Sequence, residues 1–271
     1  MYTLYPIHSH GLQRIQLFGS HIPFRIVKSK IDTLFQHIEL EYGHPMPRPV
    51  NYHLYREALC LRGVDPEASC YKLAWLGDTL IKVLFASEEF KKPNGESIPS
   101  RLETLWTSIT NDSLSKLPFT RTLNDYCFKA HQEQANGVHV AGSLFEAFIA
   151  AVFLNTQGSL TQKIKATQGF FKDIMRPRYA DTEADILPME PKQLKILGKA
   201  MISFLSAYHF FLRFEIGRWP KIKSIHKQVE RLRTQGSFKK NTYLQAQLAH
   251  LAIKGQFDEA YDLFKKHNSL H

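Results

Sequence analysis

"YKLAWLGDTLIKVLF", residues 71–85, is helix-length and almost wholly apolar, yet it carries a glycine, Gly77, followed at once by an acid, Asp78. Leu73, Leu76, Leu80, Val83 and Leu84 fall at 3–4 residue spacing, so the stretch predicts a buried helix over 69–90. A carboxylate in such a stripe has three readings: a metal ligand, a cap, or a group bonded to a neighbouring Ser, Lys or water. A second strongly apolar run, "VAGSLFEAFIAAVFLNT" (140–156), likewise carries one acid, Glu146, whose alternative reading is an ion pair across a helical bundle.

Working outward, helical periodicity recurs at 31–40, 53–61, 100–116, 159–175, 192–215, 221–235, 241–253 and 257–267, separated by Pro/Gly breakers such as "GHPMPRPVN" (43–51) and "KKPNGES" (91–97). No run of strands is read, so the expected class is all-α. The expected organisation is a basic N-terminal arm over 1–30, a helical domain over 31–175, a linker over 176–191 and a basic helical C-terminal region over 192–271.

Of 271 residues, 44% are hydrophobic and 22% charged, which suits a packed core rather than a disordered chain. Three cysteines, Cys60, Cys70 and Cys127, with no CxxC spacing, argue against a disulfide framework or a zinc site and fit a reducing compartment, the cytosol or an organelle matrix such as the mitochondrial one. No apolar run approaches the roughly 20 residues that span a bilayer, so no membrane partner is expected. The opening residues do not read as a secretory signal. Residues 1–31 contain no acid but include Arg14, Arg25, Lys28 and Lys30, a look shared by transit peptides and basic arms.

The net charge is +10, and from Met189 onward fifteen bases face six acids, nearly the whole excess. Arg218, Lys221, Lys223, Lys227, Arg231, Arg233, Lys239 and Lys240 concentrate it, and Lys223, Lys227 and Arg231, four apart, line one helix face. Such a face neutralises phosphates, with Trp219, Phe238 and Tyr243 nearby as candidate stacking partners for bases. An ordinary solvated face is the alternative. "LAHLAIKGQFDEAYDLFKKH" (248–267) reads as a terminal helical hairpin, since one repeat-like unit cannot make a solenoid.

Four segments in order resemble the ribonuclease III family. "YKLAWLGDTLIKVL" resembles its signature helix, E-R-L-E-F-L-G-D-A-x-L, with Leu73, Leu76, Gly77 and Asp78 matching. "AGSLFEAFIAAVFLN" (141–155) resembles A-D-x-F-E-A-x-I-G-A-x-Y-L-D, with Phe145, Glu146, Ala147, Ile149, Ala151 and Leu154 matching. "RLETLWTSITNDSLSKL" (101–117) is similar to the intervening helix, with Asn111 at its Asn, and "LYREALC" (54–60) to the segment before. The resemblance covers about residues 31–175 and implies a double-stranded-RNA-cutting fold in which four carboxylates hold Mg²⁺. It does not reach the tail, where no double-stranded-RNA-binding domain is read.

The departures fall on those carboxylates. Ala74 and Tyr71 stand where the pattern has Glu, Ser143 stands where it has Asp, and Arg101 falls near the acid of the intervening helix. Asp78 and Glu146 remain as vestigial catalytic and metal-binding positions, and two carboxylates with four waters would hold one Mg²⁺ weakly. The expectation is therefore a binder of structured or double-stranded RNA with a largely dismantled metal site, needing no cofactor beyond weak Mg²⁺, within RNA processing or a ribonucleoprotein. The rivals are an active Mg²⁺-dependent endoribonuclease, recruiting Glu88, Glu89 or Glu103, and a protein-interaction scaffold. Trp75 stands at the family's aromatic plug into a partner subunit, which implies a homo- or heterodimer; core packing is the alternative. "LKILGKAMISF" (194–204) is similar to "LAWLGDTLIKV" (73–83), with Lys199 at the place of Asp78, and "TQGSFKK" (234–240) parallels "TNDSLSK" (110–116). Both a degenerate second copy and coincidence between apolar helices account for this.

Overall fold

The structure, a computed structural model, describes residues 22–65, 70–89, 107, 109–130, 137–175, 191–214, 219–234 and 241–270. Among them the chain is all-helical. In order run α1 (Phe24–Tyr42), α2 (Tyr52–Leu59), α3 (Tyr71–Glu89), α4 (Asn111–Ser115), α5 (Pro118–Tyr126), α6 (Val138–Asn155), α7 (Leu160–Ile174), α8 (Pro191–Leu212), α9 (Ile222–Thr234), α10 (Thr242–Ile253) and α11 (Phe257–His267). The one extended pairing among the described residues is a single parallel bridge, Cys60 with Phe128.

Local chemistry sets most helix ends. Asn51 and Asn241 accept hydrogen bonds from the backbone N–H groups of His53 and Leu244 and so cap α2 and α10. Ser159 and Gln162 form a capping box at α7. Gly43 closes α1 in the left-handed region, at φ 65°.

Three expectations change. Residues 24–30 belong to α1, so the basic arm ends earlier than 30: Lys28 pairs with Asp32 at 2.9 Å and Lys30 donates to the Cys127 carbonyl. The helix expected over 100–116 is interrupted, because Thr110 has an extended backbone and caps the short α4 with its hydroxyl; residues 101–106 lie outside the described residues. Pro118 breaks that helix but opens α5, since a proline at the first helical position lacks only an N–H that would go unbonded there.

Helix α6 is the hub. Every residue from Ala141 to Phe153 is buried, because α2, α3, α4, α5 and α7 all pack on it. By length and composition α6, at 18 residues, could cross a membrane, which corrects the reading that no apolar run approaches that length; here most of it is enclosed by the bundle. Edge-to-face rings fill the space around it, with Phe119 touching Phe145, Phe148 and Phe170 at centroid separations of 5.5–6.0 Å.

The C-terminal helices share this core, and one contiguous apolar cluster runs from Ile22 to Phe264. Helix α8 lies against α3, α10 against α8, and α11 reaches back to α7. Of the expected linker, residues 176–190 lie outside the described residues, and Pro191 is already the first residue of α8. The N-termini of α7 and α11 cap each other. The Asp258 carboxylate accepts from the N–H groups of Leu160 (2.8 Å) and Thr161 (3.2 Å), while the Thr161 hydroxyl accepts from those of Phe257 (3.1 Å) and Asp258 (3.2 Å). Desolvation works against the charged form of Asp258, but hydrogen bonds from Thr161, Ser159 and the backbone outweigh it and hold its pKa below the usual carboxylate range.

Among the described glycines, the tightest approach is where α3 crosses α6. A Cβ built on Gly77 would lie 1.8 Å from the backbone carbonyl oxygen of Glu146, a separation no side chain tolerates. Gly142 is similarly filled by the Asn111 side chain. Gly169, on the exposed side of α7, has nothing within 4 Å. Gly77→Ala is therefore expected to destabilise the fold by more than about 2 kcal/mol despite the better helix propensity of alanine, and Gly169→Ala to stabilise it by about 0.5–1 kcal/mol. Chemical denaturation of the two variants checks this, and similar effects in both would refute the close-crossing account.

Candidate nucleic-acid interface

Two groups of functional candidates are held by this frame. The first lies at the α3–α6 crossing. Because Gly77 lets the two backbones meet at Glu146, its neighbour Asp78 sits near enough for its charge to act on Glu146. Asp78 is partly exposed and accepts a 2.7 Å ion pair from Lys82, one turn along α3. Glu146 is buried. Burial raises its pKa, the Asp78 charge adds to the rise, and Lys82 opposes it, leaving Glu146 at about 8. At neutral pH Glu146 is therefore mostly a neutral acid. Ala74 and Ser143 are both buried and bring no carboxylate to the crossing.

Of the substitute acids, Glu88 is turned to α7, where it pairs with Lys172 at 2.9 Å and accepts from Gln168. Arg101 and Glu103 lie outside the described residues, as does the side chain of Glu89.

The second group lies on α9. Ile225, Val229 and Leu232 are buried on its inner face. On its outer face an open groove of about 700 Å³ is lined by Lys223, His226, Lys227, Glu230, Arg231 and Thr234. Lys223, Lys227 and Arg231 thus share one face, as their spacing predicts. His226, Glu230 and Thr234 were not singled out from the sequence, although they fall three or four residues from those bases. Lys221 is exposed before the first turn, and Arg233 is exposed and pairs with Glu230 at 2.5 Å. Arg218, Lys239, Lys240 and Phe238 lie outside the described residues.

The aromatic partners divide. Tyr243 is 69% exposed and remains available to a base. Trp219 is buried, with its ring edge-on to Phe211 at 5.2 Å, so it is a core residue and not a stacking platform.

Trp75 joins the two groups. Its ring centroid is 4.2 Å from that of His226, and its buried Nε1 has no hydrogen-bond partner among the described residues. Nearby, the buried Lys72 donates from Nζ to the Trp219 carbonyl at 3.4 Å. The base of the α9 groove is thereby tied to α3, the same helix that carries Asp78.

Compared with family models and with curated proteins, the sequence matches none.

Glu146 gives a pH prediction. The unfolded chain loses this proton near 4.5 and the folded chain near 8, so between those values the native state binds more protons. Stability therefore falls as pH rises through that window and levels off above it. Glu146→Gln removes the titration: its thermal midpoint should exceed that of the wild type by several degrees near pH 9 and converge with it near pH 5. A pH-independent difference between the two would refute the assignment.

Proposed function

We propose that this protein binds structured or double-stranded RNA through the α9 face, on a helical frame of the ribonuclease III type whose metal site is largely dismantled. One observation carries the reading: Lys223, Lys227 and Arg231, with His226 beside them, line a single open groove of about 700 Å³. Duplex RNA is recognised mainly through phosphates and 2′-hydroxyls, which calls for positive charge at a fixed geometry. The tethering of the groove to α3 through Trp75 and Lys72 supplies the fixed geometry. Work within RNA processing or a ribonucleoprotein, in the cytosol or an organelle matrix, suits this chemistry.

The donors at the α3–α6 crossing fit Mg²⁺ poorly. A half-exposed i,i+4 pair such as Asp78–Lys82 is worth about 0.5 kcal/mol and is easily displaced. Removing the Glu146 proton at neutral pH costs about 1.4 kcal/mol, also modest. The larger deficit is charge: with Ala74 and Ser143 at the crossing, two carboxylates remain for an ion that sheds its water reluctantly, and burial of Glu146 leaves little room for the waters that would complete the shell.

A gel-shift and cleavage assay on long duplex RNA in Mg²⁺ or Mn²⁺ tests the reading. Binding without cutting is expected, with affinity falling steeply with salt. Combined alanine substitution of Lys223, Lys227 and Arg231 should flatten the log K against log[salt] slope by about 2–3, close to one unit per phosphate contact. Cutting that is lost in Asp78→Asn or Glu146→Gln would establish a working endoribonuclease instead. Absence of binding would leave a scaffold for acidic protein partners.

A further inference from the structure

The similarity between 73–83 and 194–204 has a geometric counterpart. Leu73, Leu76, Gly77 and Ile81 of α3 recur as Leu194, Leu197, Gly198 and Ile202 of α8. Gly77 meets the backbone of Glu146 in α6, and Gly198 meets the backbone of Gln245 in α10. A Cβ on Gly198 would lie 2.2 Å from the Gln245 carbonyl oxygen, followed by the same atoms, C and then Cα, that Gly77 faces at Glu146. Aligned on these two residues, "EAFIAA" (146–151) faces "QAQLAH" (245–250), which keeps Ala147 as Ala246 and Ala150 as Ala249 and sets Leu248 at Ile149. Each second helix then ends in a short turn containing a positive-φ glycine, Gly158 at 105° and Gly255 at 70°, and a third helix follows, α7 and α11.

The matched helices also touch each other. Helix α3 packs on α8, and α7 meets α11. At the second contact Thr161 and Asp258 are each the second residue of their helix, and each caps the helix of the other. Reciprocal contact between equivalent positions is the mark of an isologous, two-fold interface.

We propose that residues 191–270 are a shortened, diverged second copy of residues 71–174, and that the two copies pair about an internal two-fold axis, so that the α3 face is closed by this chain's own second half and not by another subunit. The second copy is cut down between its crossing helices, with 47 residues from Gly198 to Gln245 against 69 from Gly77 to Glu146. Trp75 meets His226 and Lys72 meets Trp219 within one chain. The chemistry of the two crossings has separated: Asp78 and Glu146 in the first copy stand as an exposed Lys199 and a buried Gln245 in the second. One copy keeps carboxylates, while the other, which also carries the α9 groove, has become cationic. This pairing does not depend on the RNA reading and is tested separately from it.

Two measurements on the full chain decide it. Light scattering across the micromolar range should give the mass of one chain, 31.3 kDa. A dimer that Trp75→Ala dissolves would mean that a second chain occupies the α3 face, and would overturn the proposal. The exchange of the reciprocal caps is the sharper test. Thr161→Asp and Asp258→Thr should each lower the thermal midpoint by roughly 3–6 °C, whereas the double exchange should recover to within about 2 °C of the wild type, because equivalent positions tolerate transposition. A double variant no more stable than the summed single effects, or one that fails to fold, would show that the two positions are not equivalent and would also overturn it.

Discussion

The architecture depends on two helix backbones meeting without side chains between them. At Gly77 the α3 backbone approaches the carbonyl of Glu146 too closely for any Cβ. That approach fixes how α3 crosses α6, and α6 is the helix on which most of the first half packs. With α6 largely enclosed, α3 also packs on α8, and α8 in turn meets α10 through a similar close glycine crossing. The two crossings link α6, α3, α8 and α10 in series.

The same approach shapes the electrostatics. A glycine that brings helices together also brings together the side chains beside it, here Asp78 and Glu146. Two neighbouring carboxylates, one of them buried, cannot both stay ionised cheaply. Asp78, nearer solvent, pairs with Lys82, while Glu146, buried, holds its proton to about 8. A metal ion would relieve such a pair, but two further carboxylates would be needed to make the site strong, and Ala74 and Ser143 supply none.

The positive charge of α9 is organised by burial on its inner side. Ile225, Val229 and Leu232 sink one face of α9 into the core, with Trp219 buried just ahead of the helix, so Lys223, Lys227 and Arg231 project together on the other face. The ring contact between Trp75 and His226 and the bond from Lys72 to the Trp219 carbonyl anchor this face to α3. A cationic surface held this firmly presents its charges at constant spacing.

From the sequence alone the all-α class followed, because the periods of α3, α6, α7, α10 and α11 are strong and proline and glycine punctuate them. So did the shared face of Lys223, Lys227 and Arg231, since spacing along one helix is a local property. The Lys82 partner of Asp78 was legible in the same way, one turn away. The helix opened by Pro118 was hidden because proline reads first as a breaker, and the interruption at Thr110 because a cap lies in backbone angles. Only the tertiary structure decided that Trp219 is core and that Glu146 keeps its proton near neutrality. It also decided that Trp75 meets the chain's own tail and that Gly198 repeats the crossing of Gly77. Each of these depends on what a distant segment places alongside, and desolvation and close approach are properties of that juxtaposition, which no local pattern encodes.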